Sequence, residues 1–326
     1  MALNYITFNQ DHSFLAVATS DGMRVYSTNP FALLFQTPLT ENGASGDIAI
    51  LEMLFSTSLV AMILSPRHLR IVNTKRQTTV CELTFPARVG ALKLNRKRLL
   101  VVMEDLIFVY DVSSMKLLSE LVTPSNPYAI CALSPDSTNN YIAYPMRKKE
   151  YMAQPAPTHV PPAGPRQPEP MGGDVMLFDA NDMQEVKVIP AHQAPLSCIA
   201  MNKEGTLLAT ASEKGTVIRV FAIPSAQKLY QFRRGSMPAR IHSMSFNERS
   251  TLLCVSSATE TIHIFRLSGD DTMPQGLESP SENAPSTPRR YQRDRSDSPT
   301  GSSDPSSSTN LGDSPADPSA KPLRSP

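Results

Sequence analysis

The chain has no cysteine pair that could close a loop or hold a metal. Cys81, Cys131, Cys198 and Cys254 are its four cysteines in 326 residues, and no CxxC or Cys/His spacing joins them. Each sits in an apolar, β-like run, such as Thr-Val-Cys-Glu-Leu or Leu-Leu-Cys-Val. That context reads as buried free thiols of a reducing compartment rather than disulfides or zinc ligands. A surplus of one charge is lacking too. The formal net charge of +1 argues against a nucleic-acid binder, so any anion recognition has to be local. The start, Met1-Ala2-Leu3-Asn4-Tyr5, carries no basic stretch followed by an apolar one, so no secretory leader is expected. No apolar run approaches the ~20 residues of a membrane span. The chain therefore reads as cytoplasmic, with any membrane contact peripheral. It also has no Gly-rich phosphate loop, no metal-ligand cluster and no nucleophile beside an evident base, so neither an enzyme nor a cofactor is expected.

What the sequence does have is a repeat. Phe8-Asn9-Gln10-Asp11-His12-Ser13-Phe14-Leu15-Ala16-Val17 aligns with Met201-Asn202-Lys203-Glu204-Gly205-Thr206-Leu207-Leu208-Ala209-Thr210 and with Phe246-Asn247-Glu248-Arg249-Ser250-Thr251-Leu252-Leu253-Cys254-Val255. All three read as strand, polar turn, apolar strand, then a turn into a strand ending Val-Tyr, Val-Phe or Ile-Phe. Related units begin near Leu54, Leu94 and Leu133, giving spacings of 46, 40, 39, 68 and 45 residues. Removing a proline-rich insert at 146–173 returns the long one to roughly 40, the WD-repeat period. About four short strands per unit predict an all-β, WD-repeat-like β-propeller over 1–268. Six blades are readable: 3–46, 47–86, 87–124, 125–190, 191–236 and 237–268, the sixth incomplete. Residues 269–326, with 13 Ser and 10 Pro, cannot bury enough surface to order themselves and read as a disordered tail. Its Ser/Thr-Pro steps at Ser279, Thr287, Ser298, Ser314 and Ser325 suit proline-directed kinases.

Between the fifth and sixth units stands Gln231-Phe232-Arg233-Arg234-Gly235. Successive side chains of a strand point to opposite faces, so Arg233 and Arg234 cannot serve one pocket. Two functional arginines there imply two anion sites, one on each side of the strand. The planar, five-donor guanidinium suits phosphate particularly well. A solvated basic pair at a strand end is the plainer reading of the pair alone.

Together with Ile189-Pro190-Ala191-His192, the run Gly205 to Phe221, Gln227-Lys228-Leu229-Tyr230, Ser256-Ser257 and Thr261-Ile262-His263-Ile264-Phe265, this motif makes the chain resemble the PROPPIN family. These are β-propellers that bind polyphosphoinositides in autophagy, and the likeness, strongest to the fungal autophagy-related eighteen type, covers residues 1–268. The resemblance implies phosphatidylinositol 3-phosphate and phosphatidylinositol 3,5-bisphosphate as membrane ligands. It implies a first pocket of His192, Thr210, Ser212, Thr216 and Arg233, and a second of Arg234, Ser256, Ser257, Thr261 and His263. Hydroxyls would donate to phosphate oxygens, and histidine would be a donor whose charge varies with pH. Phe232 would pack in the core and orient the arginines, with Gly235 closing the motif, while Lys214 and Arg219 read as rim charges. Pro66 and Arg67 look like the family's surface for an autophagy lipid-transfer partner, although a Pro-Arg turn is also ordinary turn chemistry. The implied setting is the preautophagosomal structure, vacuole and endosome. Family members have seven blades; the last strand of the sixth and the whole seventh have no counterpart in these residues. The alternative is a WD-repeat scaffold that ignores lipid.

Overall fold

Short apolar runs broken by Asn, Gly and Ser turns favour strands that pair with their sequence neighbours. The result is six sheets. Sheet one holds β1 (Leu3–Phe8), β2 (Phe14–Thr19), β3 (Gly22–Thr28) and β4 (Phe31–Thr37). Sheet two holds β5 (Ile50–Met53), β6 (Leu59–Ser65), β7 (His68–Asn73) and β8 (Thr78–Thr84). Sheet three holds β9 (Ala91–Leu94), β10 (Arg98–Val102), β11 (Leu106–Asp111) and β12 (Leu117–Val122). Sheet four holds β13 (Ala132–Leu133), β14 (Tyr141–Arg147), β15 (Met171–Asp179) and β16 (Gln184–Ile189). Sheet five holds β17 (Leu196–Met201), β18 (Leu207–Ser212), β19 (Val217–Ala222) and β20 (Lys228–Arg233). Sheet six has three strands, β21 (Ile241–Phe246), β22 (Leu252–Ser257) and β23 (Ile262–Arg266). The computed structural model describes residues 2–20, 22–37, 48–147 and 171–267, all within the unit Met1–Asp271. Among them there is no helix, and the architecture is an all-β propeller.

Five apolar cores join the six sheets in sequence, each shared by two consecutive sheets. Leu99, Val101 and Ile63 fill the core between sheets two and three; Val175, Leu177 and Leu208 fill that between four and five. No such core links sheets six and one among the described residues. Their outward faces instead expose Ile6, Phe8 and Leu33 on one side and Ile262 and Ile264 on the other. The insert expected at 146–173 is narrower at its ends. Met146 and Arg147 complete β14 and Met171 to Gly173 open β15, with Arg147 opposite Met171. Glycine matters there, because a Cβ on Gly173 would collide with the carbonyl of His192. The rest of the insert and the tail from 268 lie outside the described residues.

One asparagine organises the first turn in four sheets. Asn9, Asn95, Asn202 and Asn247 each accept backbone N–H bonds through Oδ1 at 2.8–3.0 Å, closing the link from first to second strand. Asn side chains suit this because a short amide oxygen can accept from its own chain's N–H groups across a tight turn, here two to five residues on. Beside Asn9, Gln10 ties sheet one across to sheets two and three. Its Nε2 donates to Met53 O (2.6 Å) and Leu94 O (2.8 Å), and its Oε1 accepts from Phe55 N (2.6 Å).

The first strands, β1, β5, β9, β13, β17 and β21, lie side by side at the centre. They carry a buried carboxylate, Glu52, on β5 and a half-buried ammonium, Lys93, on β9. Burial pushes the Glu52 carboxyl from 4.5 up to about 7, against the opposing pull of Lys93 and a hydroxyl bond from Thr7. Burial pulls Lys93 down, yet the combined attraction of Glu52, Tyr5, Cys131 and Cys198 holds it above its ordinary range. The folded chain thus keeps a proton on Glu52 that the unfolded chain has released. Stability from that proton is complete below about pH 4 and is lost as pH rises through 7. Glu52→Gln removes this dependence, so urea unfolding of both chains should show the variant gaining on wild type between about pH 5 and 7.5, by up to about 3 kcal/mol. A difference independent of pH would contradict it.

Candidate functional site

Sheet five carries the double arginine at the end of its outer strand. On the face turned toward sheet four, Thr210, Arg219, Gln231 and Arg233 follow one another across the strands, since Thr210 pairs with Arg219, Arg219 with Gln231 and Val217 with Arg233. Phe232 points the other way. It stacks on Tyr230 (5.7 Å between centroids) and on Phe265 of sheet six (4.6 Å), inside the core between sheets five and six. Arg233 and Arg234 therefore fall on opposite sides of one sheet.

The first group centres on His192, which follows β16. Its Nδ1 lies 3.2 Å from the Arg219 guanidinium and its Nε2 3.0 Å from Thr210 Oγ1. A guanidinium only donates, so Nδ1 accepts and the Nε2–H donates to Thr210. Burial, with Arg219 alongside, pushes His192 down to about 4. This corrects the expectation of a pH-variable charge at this histidine, because a buried ring already facing a guanidinium stays neutral at ordinary pH. Arg219 also binds Ala191 O (2.6 Å) and Gln231 Oε1 (2.9 Å), so it is an anchored member of the group rather than the rim charge expected from sequence. Thr210 is fully buried and Ser212 nearly so. Thr216 is half-buried, its carbonyl taking the Arg234 N–H. Arg233 is exposed and has no side-chain partner among the described residues.

The second group is different in kind. Arg234 is buried, its Nε donating to Gly215 O and its Nη2 to Met237 O, both at 2.6 Å. The Nη1 reaches Thr259 Oγ1 at 3.4 Å. Thr259 stands in a ladder of hydroxyls: Ser257 lies 2.9 Å and Thr261 2.8 Å from it, with His263 Nε2 a further 3.2 Å from Thr261. Ser256 lies on the other face of β22, against Ser243 at 2.8 Å, and does not join the ladder. Sequence reasoning missed Thr259 and Gln231. The Thr259–x–Thr261–x–His263 alternation and the placing of Gln231 two residues before Arg233 are the signals that could have found them. Rotatable hydroxyls and guanidiniums are donor chemistry for a phosphorylated ligand. The Pro66–Arg67 turn is exposed at the far side of sheet two, where its two carbonyls bind Val89 N and Phe85 N. Among the described residues no three His, Cys, Asp or Glu side chains gather into a metal site.

Fold and site define a β-propeller with donor-rich groups on both sides of its fifth sheet. The chain matches the PROPPIN family over residues 2–150 and 168–293 and belongs to it. It is 56% identical over 305 residues to Autophagy-related protein 18 of Neosartorya fischeri, which covers 92% of this chain and 67% of that protein. Its likeness to the Aspergillus terreus protein of the same name is 58% over 285 residues, covering 86% and 66%. The chain spans about two thirds of the length of these relatives. Among solved structures, KlAtg21 in complex with the coiled coil of AgAtg16 matches with a TM-score of 0.67 and 36% identity over 82% of each chain. Hsv2 of Kluyvelomyces marxianus matches with a TM-score of 0.65 at 22% identity, a likeness of fold alone, over 81% of this chain and 76% of that one.

The two arginines should separate in stability. Arg234→Met strips the buried Gly215 carbonyl and the part-buried Met237 carbonyl of charged donors and should cost about 2–4 kcal/mol. Arg233→Thr should stay within about 0.5 kcal/mol of wild type. Chemical unfolding of both variants checks this, and equal losses would count against the geometry.

Proposed function

We propose that this chain is a peripheral membrane adaptor of autophagy that reads phosphatidylinositol 3-phosphate and phosphatidylinositol 3,5-bisphosphate. The observation that carries the reading is the exposed guanidinium of Arg233, without a side-chain partner among the described residues, beside the anchored Arg219 and on the opposite face from the Arg234 hydroxyl ladder. Family membership and relatives named Autophagy-related protein 18 support it. In this reading Arg233 engages one headgroup phosphate directly. His192, Thr210 and Ser212 hold the wall behind it, and Ser257, Thr259, Thr261 and His263 offer donors to a second phosphate. Arg234 acts from behind that ladder, holding Thr259 in place and adding positive potential. Pro66 and Arg67 are the proposed contact for a lipid-transfer partner. The setting is the preautophagosomal structure, vacuole and endosome.

A scaffold reading keeps some support, since the solved KlAtg21 structure holds a coiled-coil partner. Liposome co-sedimentation separates the two. Wild type should pellet with liposomes bearing phosphatidylinositol 3-phosphate and remain in solution with unphosphorylated phosphatidylinositol. Arg233→Thr should lose at least about tenfold in affinity, since a charge-assisted contact contributes roughly 1.5–3 kcal/mol. Replacing Arg233 alone is the clean test, because Arg234 also supports the fold. Sedimentation indifferent to the lipid, or to this substitution, would leave only the scaffold.

A further inference from the structure

The centre of the ring holds an acid and a base whose pairing is unexplained, and the proton that burial keeps on Glu52 leaves for solvent when a cation meets the carboxyl. Glu52 is 7% exposed, and its Oε2 is the one buried side-chain oxygen or nitrogen without a hydrogen-bond partner among the described residues. Lys93, one sheet along, feels its attraction, yet no direct ion pair or hydrogen bond joins them, and the ammonium has no other bonded partner among the described residues. A buried carboxylate oxygen without a bonded partner costs free energy unless something meets it. Both side chains line one cavity of about 200 Å³. Its apolar walls come from Phe8, Leu94, Leu133, Met201, Met244 and Phe246. At the mouth, Lys203 and Glu248 pair at 3.0 Å, with the Asp11 carboxylate and His12 also on the lining. The space is smaller than the ~300–1,000 Å³ of drug-sized pockets and larger than one water requires.

We propose that this central cavity binds a small zwitterion with an apolar side chain, of the free α-amino acid class, its ammonium on Glu52 and its carboxylate on Lys93. The charges select this class by exclusion. A simple anion drawn to Lys93 is repelled by Glu52, and a simple cation drawn to Glu52 is repelled by Lys93. A molecule carrying both charges answers both groups, and the phenylalanine, leucine and methionine walls suit its hydrocarbon part. None of these residues belongs to the groups beside sheet five, so the site stands independently of phosphoinositide recognition.

The test titrates the full chain by calorimetry with L-leucine, with 4-methylpentanoate, which lacks the amine, and with isoamylamine, which lacks the carboxylate. L-leucine or L-methionine should bind saturably and at least tenfold more tightly than either single-charge analogue. Glu52→Gln and Lys93→Met, checked for fold by circular dichroism, should each weaken leucine at least tenfold. Because the three-probe comparison uses wild type, it decides the matter even if a variant fails to fold. Absence of saturable binding would mean that the cavity holds only water and would overturn the proposal. Equal binding of leucine and isoamylamine would overturn it in favour of a cation site.

Discussion

The guanidinium of Arg234 is tied to the carbonyls of Gly215 and Met237, and the geometry at the end of the fifth sheet follows from that tie. Gly215 can take part because its backbone sits at φ +59°, which glycine adopts without a Cβ penalty, and because a Cβ there would collide with the Ala239 carbonyl. Arg234 thus pins the turn before β19 to the segment leading into sheet six. With that segment fixed, Thr259 and its neighbouring hydroxyls come within reach of the Nη1 nitrogen. Two neighbouring arginines divide the work: one fastens two sheets together, the other is exposed and without a side-chain partner among the described residues.

A ring of sheets explains why the rest of the chain supports this point. Each sheet shares an apolar core with the next, so sheet five is gripped from both sides, by Leu177 and Ile189 of sheet four and by Val255 and Leu253 of sheet six. Phe232, stacked flat against Phe265, fixes the backbone of the residue before Arg233. A donor placed on such a strand loses little further freedom when a ligand arrives, whereas a loop would have to be ordered first. Sheets one and six are gripped on one side only by the described residues, which is why their outward faces still show Ile6, Phe8, Ile262 and Ile264.

The repeat is legible in the sequence because its determinants are local. The asparagine of the first turn in four of the sheets, the apolar second strand and the aliphatic-aromatic pair that closes the third strand in five recur from blade to blade, and they delimit the six sheets to within a few residues. The opposite facing of Arg233 and Arg234 is legible for the same reason, from the two-residue period of a strand. What cannot be read there depends on contacts between strands distant in sequence. Arg219 looks like a surface charge until β16 and β20 bring His192 and Gln231 to it. The neutral state of His192 is hidden for the same cause. Its charge is decided by burial and by Arg219, 27 residues away. Gly235, conspicuous in the motif, has open space for 4 Å around the point where a Cβ would stand. Gly215 and Gly173, which are less conspicuous, are the glycines the packing requires.

Facing itself is set by an irregularity. Between β19 and β20 the register skips one residue: Val220 pairs with Tyr230 and Phe221 with Lys228, leaving Leu229 bulged outward. The same skip recurs at Leu34, Val80, Leu118 and Val186, each the extra residue of a bulge on the outer strand of its sheet. All five are large and partly exposed, a recurring cost of the geometry rather than scattered accidents. A bulge changes which side chains face the core beyond it. Were Leu229 simply paired in an unbroken ladder counted from the Ala222–Gln227 turn, every later residue of β20 would reverse. Tyr230 and Phe232 would leave the core shared with sheet six, and Arg233 would enter it, a buried charge facing Phe265 with no partner. The bulge therefore reconciles the hairpin's turn with the facing of the strand's far end, and it makes Phe232 the buried neighbour and Arg233 the exposed one.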